Sequence, residues 1–222
     1  MAIEFKGSNA VILPPPNPNQ LFNPAIFSQI WMIQHLRVEP NDFINEGAVQ
    51  TPFLFHQPTR AFVLLVVQER IQLNFATLLE DAGDIVRRVV PEVLGQSPCY
   101  SAGFNFNWLI NWNNHQNSET SRRIFFTGNN PLFRLFDTQD ACFGAYASKD
   151  YLGMRFRVDA KPVIIGRSEE VTTSGVLFNF NFHQELTGDD RLEDIRYLLR
   201  LWEQTRDEAA RIIQQINGEC DL

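Results

Sequence analysis

The chain has 222 residues, of which 44% are hydrophobic and 19 are phenylalanines. Such a chain can bury a core without disulfides or metals, which excludes a disordered protein and a disulfide-dependent miniprotein. Its net charge of −7 argues against nucleic acid as a partner, because sequence-independent binding to phosphates needs a basic surface.

Cysteine spacing and hydropathy bear on whether the protein is disulfide-bonded, metal-binding, secreted or membrane-bound. Cys99, Cys142 and Cys220 are far apart and form no CxxC pair, so the sequence predicts neither a disulfide framework nor a metal site. The first twenty residues lack the basic start and apolar stretch of a secretory signal. No apolar run approaches the roughly 20 residues that cross a bilayer. We therefore expect a cytoplasmic protein without a cofactor and without membrane contact.

The chain begins with a predicted extended arm over residues 1–22. Within it, residues 10–13 suggest a short edge strand, and the prolines at 14–16 and 18 hold the following segment extended. Asn23 and Pro24 then mark the start of a helix that runs to about Arg37, because Asn caps helices and Pro is tolerated in the first turn. The predicted apolar face of this helix contains Ile26, Phe27, Ile30, Ile33 and Leu36.

Strands and a second helix follow. Residues 61–67 form an apolar run that predicts a buried strand, and Arg70–Phe75 alternates polar and apolar side chains as a half-buried strand does. Residues 78–94 carry an apolar face that predicts a helix, although Gly83 and Pro91 weaken it.

The second half opens with a predicted strand over residues 103–112, in which Phe104, Phe106 and Trp108 alternate with asparagines. Residues 142–147 and 151–158 suggest a hairpin, and residues 163–165 a further short strand. Residues 121–126 and 132–136 fit a helix and a strand equally well. Residues 176–183 repeat the alternation of Phe and Asn.

Residues 187–217 predict one long amphipathic helix that ends the chain. Its apolar side chains recur every three or four residues, from Leu192 to Ile216, and therefore lie on one face. Thr187 and the two aspartates after Gly188 suit its start, and Asn217 with Gly218 suits its end. The spacing also fits a coiled coil between two copies. Because Arg206 interrupts that seam, packing against the chain's own sheet is favoured.

These elements predict an α+β fold with a single domain over residues 1–222. We expect a curved, mainly antiparallel sheet of about six to eight strands, covered on one face by the helices at 24–37, 78–94 and 187–217. Residues 103–107 and 177–181 share the sequence Phe-Asn-Phe-Asn. This echo is either the trace of an internal duplication or one solution used by two strands.

The strand residues opposite the aromatic side chains form the candidate ligand-binding surface. Asn is disfavoured in strands, yet it recurs here, and no carboxylate alternates with it. Amides and guanidinium groups suit an anionic or hydrogen-bonding ligand such as a phosphate, a nucleotide, a carboxylate or a peptide backbone. A solvated sheet face is the alternative. The candidate residues are Arg70, Asn105, Asn107, Arg155, Arg157, Asn179, Asn181 and His183.

Catalytic and cofactor motifs such as GxSxG, GxxxxGK, GxGxxG and HExxH do not occur in the sequence. The sequence therefore favours a non-enzymatic binding or assembly protein that engages a protein partner or a small anionic ligand. One alternative is an enzyme with a dispersed site for a nucleotide or phosphate ester, with His183 as acid or base and Arg155 or Arg157 as anion clamp. Another is a structural homo-oligomer joined through residues 192–216.

Overall fold

The computed structural model describes residues 2–94, 99–111, 117–125, 131–136, 138–167, 172–187 and 191–219. Within these ranges, no helix is both long and apolar enough to cross a membrane. Nine antiparallel strands form one sheet in the order β2-β3-β4-β5-β1-β6-β9-β8-β7. The strands are β1 (Ala2–Leu13), β2 (Val49–Gln50), β3 (Leu54–Pro58), β4 (Val63–Val67), β5 (Arg70–Phe75), β6 (Ser101–Asn111), β7 (Ala145–Tyr151), β8 (Met154–Arg167) and β9 (Thr172–Glu185).

Six α-helices are described beside the sheet, which confirms the predicted α+β class. They are α1 (Gln29–Leu36), α2 (Ala82–Leu94), α3 (Asn117–Phe125), α4 (Pro131–Leu135), α5 (Arg191–Arg200) and α6 (Trp202–Glu219). The predicted hairpin exists as β7 and β8, but its turn lies at residues 152–153 and not between residues 147 and 151. The short strand predicted at 163–165 is the continuation of β8. The two ambiguous segments are helical, in α3 and α4.

The alternation in β6 and β9 separates two faces of the sheet. Phe104, Phe106 and Trp108 of β6 are buried, as are the three phenylalanines of β9. The ring of Trp202, the first residue of α6, lies 5.0 Å from the rings of both Phe104 and Phe106. We call this side the helix face and the opposite side the polar face. The helices therefore cover the aromatic face, as the sequence predicts.

The predicted arm is wrong, because residues 2–13 form β1 in the middle of the sheet. β1 pairs with β5 on one side and with β6 on the other. Its register shifts between Phe5 and Gly7, so that Lys6 is an extra residue at a β-bulge. The bulge interrupts the two-residue alternation, and this central strand consequently lacks the sequence pattern that identifies the others.

The first predicted helix starts too early. Residues 24–26 form a 3-10 turn, and α1 begins after Ser28, whose hydroxyl accepts a hydrogen bond from the backbone N–H of Trp31 at 3.1 Å. Phe27 leaves the helix and packs against Phe55, with ring centroids 6.0 Å apart. The buried face is consequently Trp31, Met32 and Leu36, whereas Ile30 is 67% exposed.

The long closing helix is bent rather than continuous. Leu201 lies between α5 and α6, and α6 runs on to Glu219 instead of stopping at residues 217–218. Residues 188–190, which include most of the predicted cap, lie outside the described residues. The apolar stripe packs on the chain's own core, where Leu198, Trp202 and Ile213 are buried. The second helix likewise starts at Ala82 rather than at residue 78.

Both halves of the chain have a strand, helical segments, a run of strands of which the last pairs with the first, and a closing helical part. The run has four strands in the first half (β2 to β5) and three in the second (β7 to β9), and the closing part is α2 in the first half and α5 with α6 in the second. The Phe-Asn-Phe-Asn echo falls on β6 and β9, which are paired neighbours and not corresponding strands of the two halves. A different correspondence exists. Gly7 precedes Asn9 by two residues in β1, and Gly103 precedes Asn105 by two residues in β6. A Cβ on Gly7 would lie 3.0 Å from the carbonyl oxygen of Phe75, and a Cβ on Gly103 would lie 2.7 Å from that of Phe182.

Candidate functional site

A row of asparagines crosses the centre of the polar face. Four neighbouring strands each contribute one asparagine at paired positions. In sheet order these are Asn74 of β5, Asn9 of β1, Asn105 of β6 and Asn181 of β9. We call these four residues the amide row. Arg157 of β8 lies opposite Asn181 and extends the row at that end. The antiparallel register thus brings together three predicted site residues: Asn105, Asn181 and Arg157.

The amides of the row bond to one another. The Nδ2 atom of Asn181 donates to Oδ1 of Asn105, and Nδ2 of Asn105 donates to Oδ1 of Asn9, each at 2.7 Å. An Asn side chain has two donors and two acceptor lone pairs, so Asn105 keeps one of each for another partner. The amide row therefore links β1, β6 and β9 by side-chain hydrogen bonds. It also presents free donors and acceptors to solvent.

Asn9 is a site residue that the sequence analysis missed. It lies in the segment predicted as an extended arm, where no alternation marks it as part of a sheet. Asn74 carries the alternating pattern of β5, and its Oδ1 atom accepts a hydrogen bond from Nε2 of Gln72 at 2.5 Å. The bulge at Lys6 interrupts the alternation of β1, so the sequence pattern does not assign Asn9 to a face of the sheet. The register of β1 with β6 places Asn9 in the amide row.

His183 is the next residue of β9 on the polar face after Asn181, and it lies between Gly103 of β6 and Arg155 of β8. Partial burial lowers the pKa of His183 below its ordinary value, and the positive charge of Arg157 lowers it further, while Glu185 acts in the opposite direction. The imidazole is consequently neutral at neutral pH. A Cβ on Gly103 would lie 3.5 Å from Nδ1 of His183, so the glycine keeps this side of the ring open.

The three predicted arginines differ in their surroundings. Nη1 of Arg155 donates to Oδ1 of Asp150 at 3.1 Å across the β7–β8 hairpin. Arg157 is exposed and has no ion pair within the described part of the chain. Arg70 is exposed on β5, four strands away from β8 in the sheet order, which is about 19 Å at ordinary strand spacing. Arg157 is therefore the cation best placed to act together with the amide row.

The expectation of an acid-free face is wrong. Asp159 of β8 lies opposite Asn179, which in turn lies opposite Asn107, so a carboxylate occupies the same row as two predicted site residues. Its Oδ2 atom lies 3.8 Å from Nζ of Lys161. The polar face consequently carries both signs of charge, and a purely anionic ligand is less well matched to it than a partner with mixed chemistry.

One end of the polar face is aliphatic. Val63 of β4 lies opposite Asn74, and Leu65 lies opposite Gln72, and both side chains are half-buried. The apolar run at 61–67 predicts a strand buried on both faces, and the register instead places these two side chains on the face opposite the helices. From β4 to β8 the surface thus changes from aliphatic to amide to cationic.

His183 predicts a measurable pH dependence of stability. Its folded-state pKa lies below the ordinary value of about 6.5, so the unfolded chain binds more protons between these two pKa values. The corresponding stability is complete above the unfolded pKa and is lost as the pH falls through the folded pKa. We expect the free energy of unfolding to fall from about pH 7.5 to about pH 5 in the wild type, and to fall less in His183→Gln.

Urea unfolding of both proteins across that pH range measures the effect. Carboxylates that titrate near the acid end are common to both proteins, so the difference between the two curves isolates His183. Parallel curves would show that the partial burial of this imidazole has no energetic consequence.

Comparison with known proteins identifies no relative: no family model, no curated protein and no solved structure matches the chain. Within the described ranges, no group of three His, Cys, Asp or Glu side chains is placed to hold a metal ion.

Proposed function

We propose that the chain is a non-enzymatic, cytoplasmic binding or assembly protein whose polar face contacts a protein partner. The observation that carries this proposal is the amide row, which is flanked by aliphatic side chains on β4 and by Arg157 on β8. All four members of the amide row are half-buried, and the row keeps unused donors and acceptors.

The dimensions of this surface favour a macromolecule over a small ligand. From β4 to β8 it covers six neighbouring strands, which is about 24 Å at ordinary strand spacing. Small-molecule sites are enclosed clefts that surround most of the ligand. Protein interfaces combine apolar, amide and arginine side chains over a wide area, and arginine is enriched in them.

The charge distribution favours a partner with a carboxylate close to Arg157. Arg155 is already bonded to Asp150, whereas Arg157 has no such partner in the described residues. Reversing the charge at Arg157 would remove the attraction and add repulsion, and a desolvated interfacial charge pair is typically worth about 2–5 kcal/mol when one member is lost.

The test is a comparison of three immobilised proteins: the wild type, Arg157→Glu and Arg200→Glu. Arg200 is exposed on α5, so its substitution makes the same change in net charge away from the polar face. We expect proteins in an extract of the native cells to be retained by the wild type and by Arg200→Glu. Retention by Arg157→Glu should be at least about tenfold weaker. Equal retention by all three proteins would contradict the proposal that the polar face binds the partner.

A second candidate function is an enzyme acting on a nucleotide or phosphate ester. The observation in its favour is the lowered pKa of His183, which leaves a neutral imidazole near Arg157. Hydrolysis of p-nitrophenyl phosphate that is lost in both His183→Gln and Arg157→Glu would support it. Activity that survives in His183→Gln would exclude this histidine as acid or base. The helix-joined homo-oligomer is not proposed, because the described part of its apolar stripe, from Ile195 to Ile216, packs against the chain's own core.

A further inference from the structure

The edge strand β7 has the length and exposure of an interaction surface. It pairs only with β8 in the described sheet, and six of its seven residues are exposed. The opposite edge, β2, is only two residues long. Long exposed edges are uncommon in soluble proteins, because their unpaired backbone groups can bind another strand.

The turn between β7 and β8 defines which backbone groups are available. Leu152 and Gly153 have φ values of 52° and 80°, as in a two-residue type I′ hairpin. Such a turn closes on a hydrogen-bonded pair, here Tyr151 with Met154, and the bonded pairs then alternate along the strands. The N–H and C=O groups of Tyr146, Ser148 and Asp150 therefore point away from β8, toward the open edge.

On the helix face, the last side chains before the open edge are small. Ala147 of β7 follows Phe106, Phe180 and Val158 across the paired strands, and Ala145 follows Trp108, Phe178 and Ala160. A cleft of about 230 Å³ lies beside Ala147, and Val158 and Ile212 contribute to its walls. An added strand would extend these rows and place side chains beside the cleft.

We propose that β7 pairs antiparallel with β7 of a second copy of this chain, with Ser148 facing Ser148 of the second copy on a twofold axis. In this register Tyr146 faces Asp150 of the second copy, and the same pair recurs on the other side of the axis. Three hydrogen-bonded pairs with two bonds each give about six backbone hydrogen bonds.

The side chains of β7 complement themselves in this register, which favours a second copy over an unrelated peptide. On the helix face, Lys149 faces Ala147 of the second copy, and Tyr151 faces Ala145. Each long side chain thus meets a short one. On the polar face, the Tyr146 hydroxyl can donate to the Asp150 carboxylate of the second copy. Tyr146 is 67% exposed in the single chain, so the pairing also covers an exposed aromatic ring.

Lys149 is compatible with this pairing although lysine on an edge strand often prevents aggregation. Its Nζ atom lies 3.5 Å from Oε1 of Glu208 and 5.5 Å from the centre of the Phe156 ring. The charge is thereby held over the helix face of its own subunit and away from the hydrogen-bonding edge. The proposal goes beyond the proposed function and does not rest on it.

Sedimentation velocity between about 1 μM and about 300 μM tests the pairing with Ser148→Pro and its matched control Ser148→Ala. Proline removes an N–H that points away from β8 and is tolerated at such edge positions, so the intrachain ladder is preserved. We expect the wild type and Ser148→Ala to dimerise, and the dissociation constant of Ser148→Pro to be at least about tenfold higher. A wild type that is monomeric throughout, or equal dimerisation of both variants, overturns the proposal.

Amide hydrogen exchange on the wild type gives a second test that is independent of how the proline variant folds. The amides of Tyr146, Ser148 and Asp150 should exchange fast in dilute solution and become protected as the concentration rises. The amides of Ala147 and Lys149, which are bonded to β8, should be protected at every concentration. Fast exchange of the first three amides in a concentrated sample also overturns the proposal.

Discussion

Trp202→Ala is expected to lower the free energy of unfolding by about 3–5 kcal/mol, the usual cost of removing a large buried aromatic side chain. Trp202 is 1% exposed, and its ring lies 5.7 Å from that of Phe75 and 5.0 Å from those of Phe104 and Phe106. One side chain thus joins the start of α6 to β5 and β6. Since domains are typically stable by only about 5–15 kcal/mol, much of the total is lost.

Trp202→Phe is the matched control for this prediction. The Nε1 atom of Trp202 is buried and has no hydrogen-bond partner among the described residues, so replacing the indole removes no bond that they supply. We expect a smaller loss of about 1–2 kcal/mol, because the phenyl ring keeps part of the packing and only the volume between the two rings is left as a cavity. Guanidinium unfolding of the three proteins measures both effects. A similar loss in both variants would contradict the prediction and show that a phenyl ring replaces none of the packing of the indole at this junction.

Gly103→Ala is expected to cost about 1–3 kcal/mol, because the added methyl group would meet backbone atoms that have little freedom to move. A Cβ at this position would lie 2.7 Å from the carbonyl oxygen of Phe182 and 3.4 Å from Cα of His183. The methyl group would therefore push β6 and β9 apart beside the amide row. The same movement should alter the surroundings of His183.

Gly218→Ala provides the control, since a Cβ there would have no atom within 4 Å. It lies in the last turn of α6, where alanine is a better helix former than glycine. We expect its stability to equal or slightly exceed that of the wild type. Urea unfolding gives both values, and the imidazole proton shifts of His183 report the local change. A Gly103→Ala protein as stable as Gly218→Ala would show that the central strands can separate without cost.

The faces of individual strands could be predicted from sequence, because alternation is a local property. Phe104 and Asn105 point to opposite sides of β6, and Phe180 and Asn181 do the same in β9. The chain's own core also covers the apolar stripe of its closing helices, as Arg206 suggested. Each of these results depends on residues a few positions apart, where backbone geometry alone sets the direction of the side chains.

The order of the strands could not be predicted, because pairing joins residues that are far apart in sequence. Nothing near Asn9 indicates that its amide meets Asn105, and nothing near Asp159 indicates that it lies beside Asn179. The bend at Leu201 and the early break after Phe27 have the same origin. In both places tertiary packing determines where a helix begins, whereas the local apolar pattern continues.

The central position of β1 affects the order in which the sheet can form during synthesis. Residues 2–13 are made before either partner strand, because β5 and β6 end only at residues 75 and 111. Both edges of β1 therefore remain unpaired until the ribosome has synthesised β5 and β6. Contacts over such distances form slowly, because a long loop must close first. A nascent chain halted before residue 101 would expose one full edge of β1, which is the kind of surface that molecular chaperones protect.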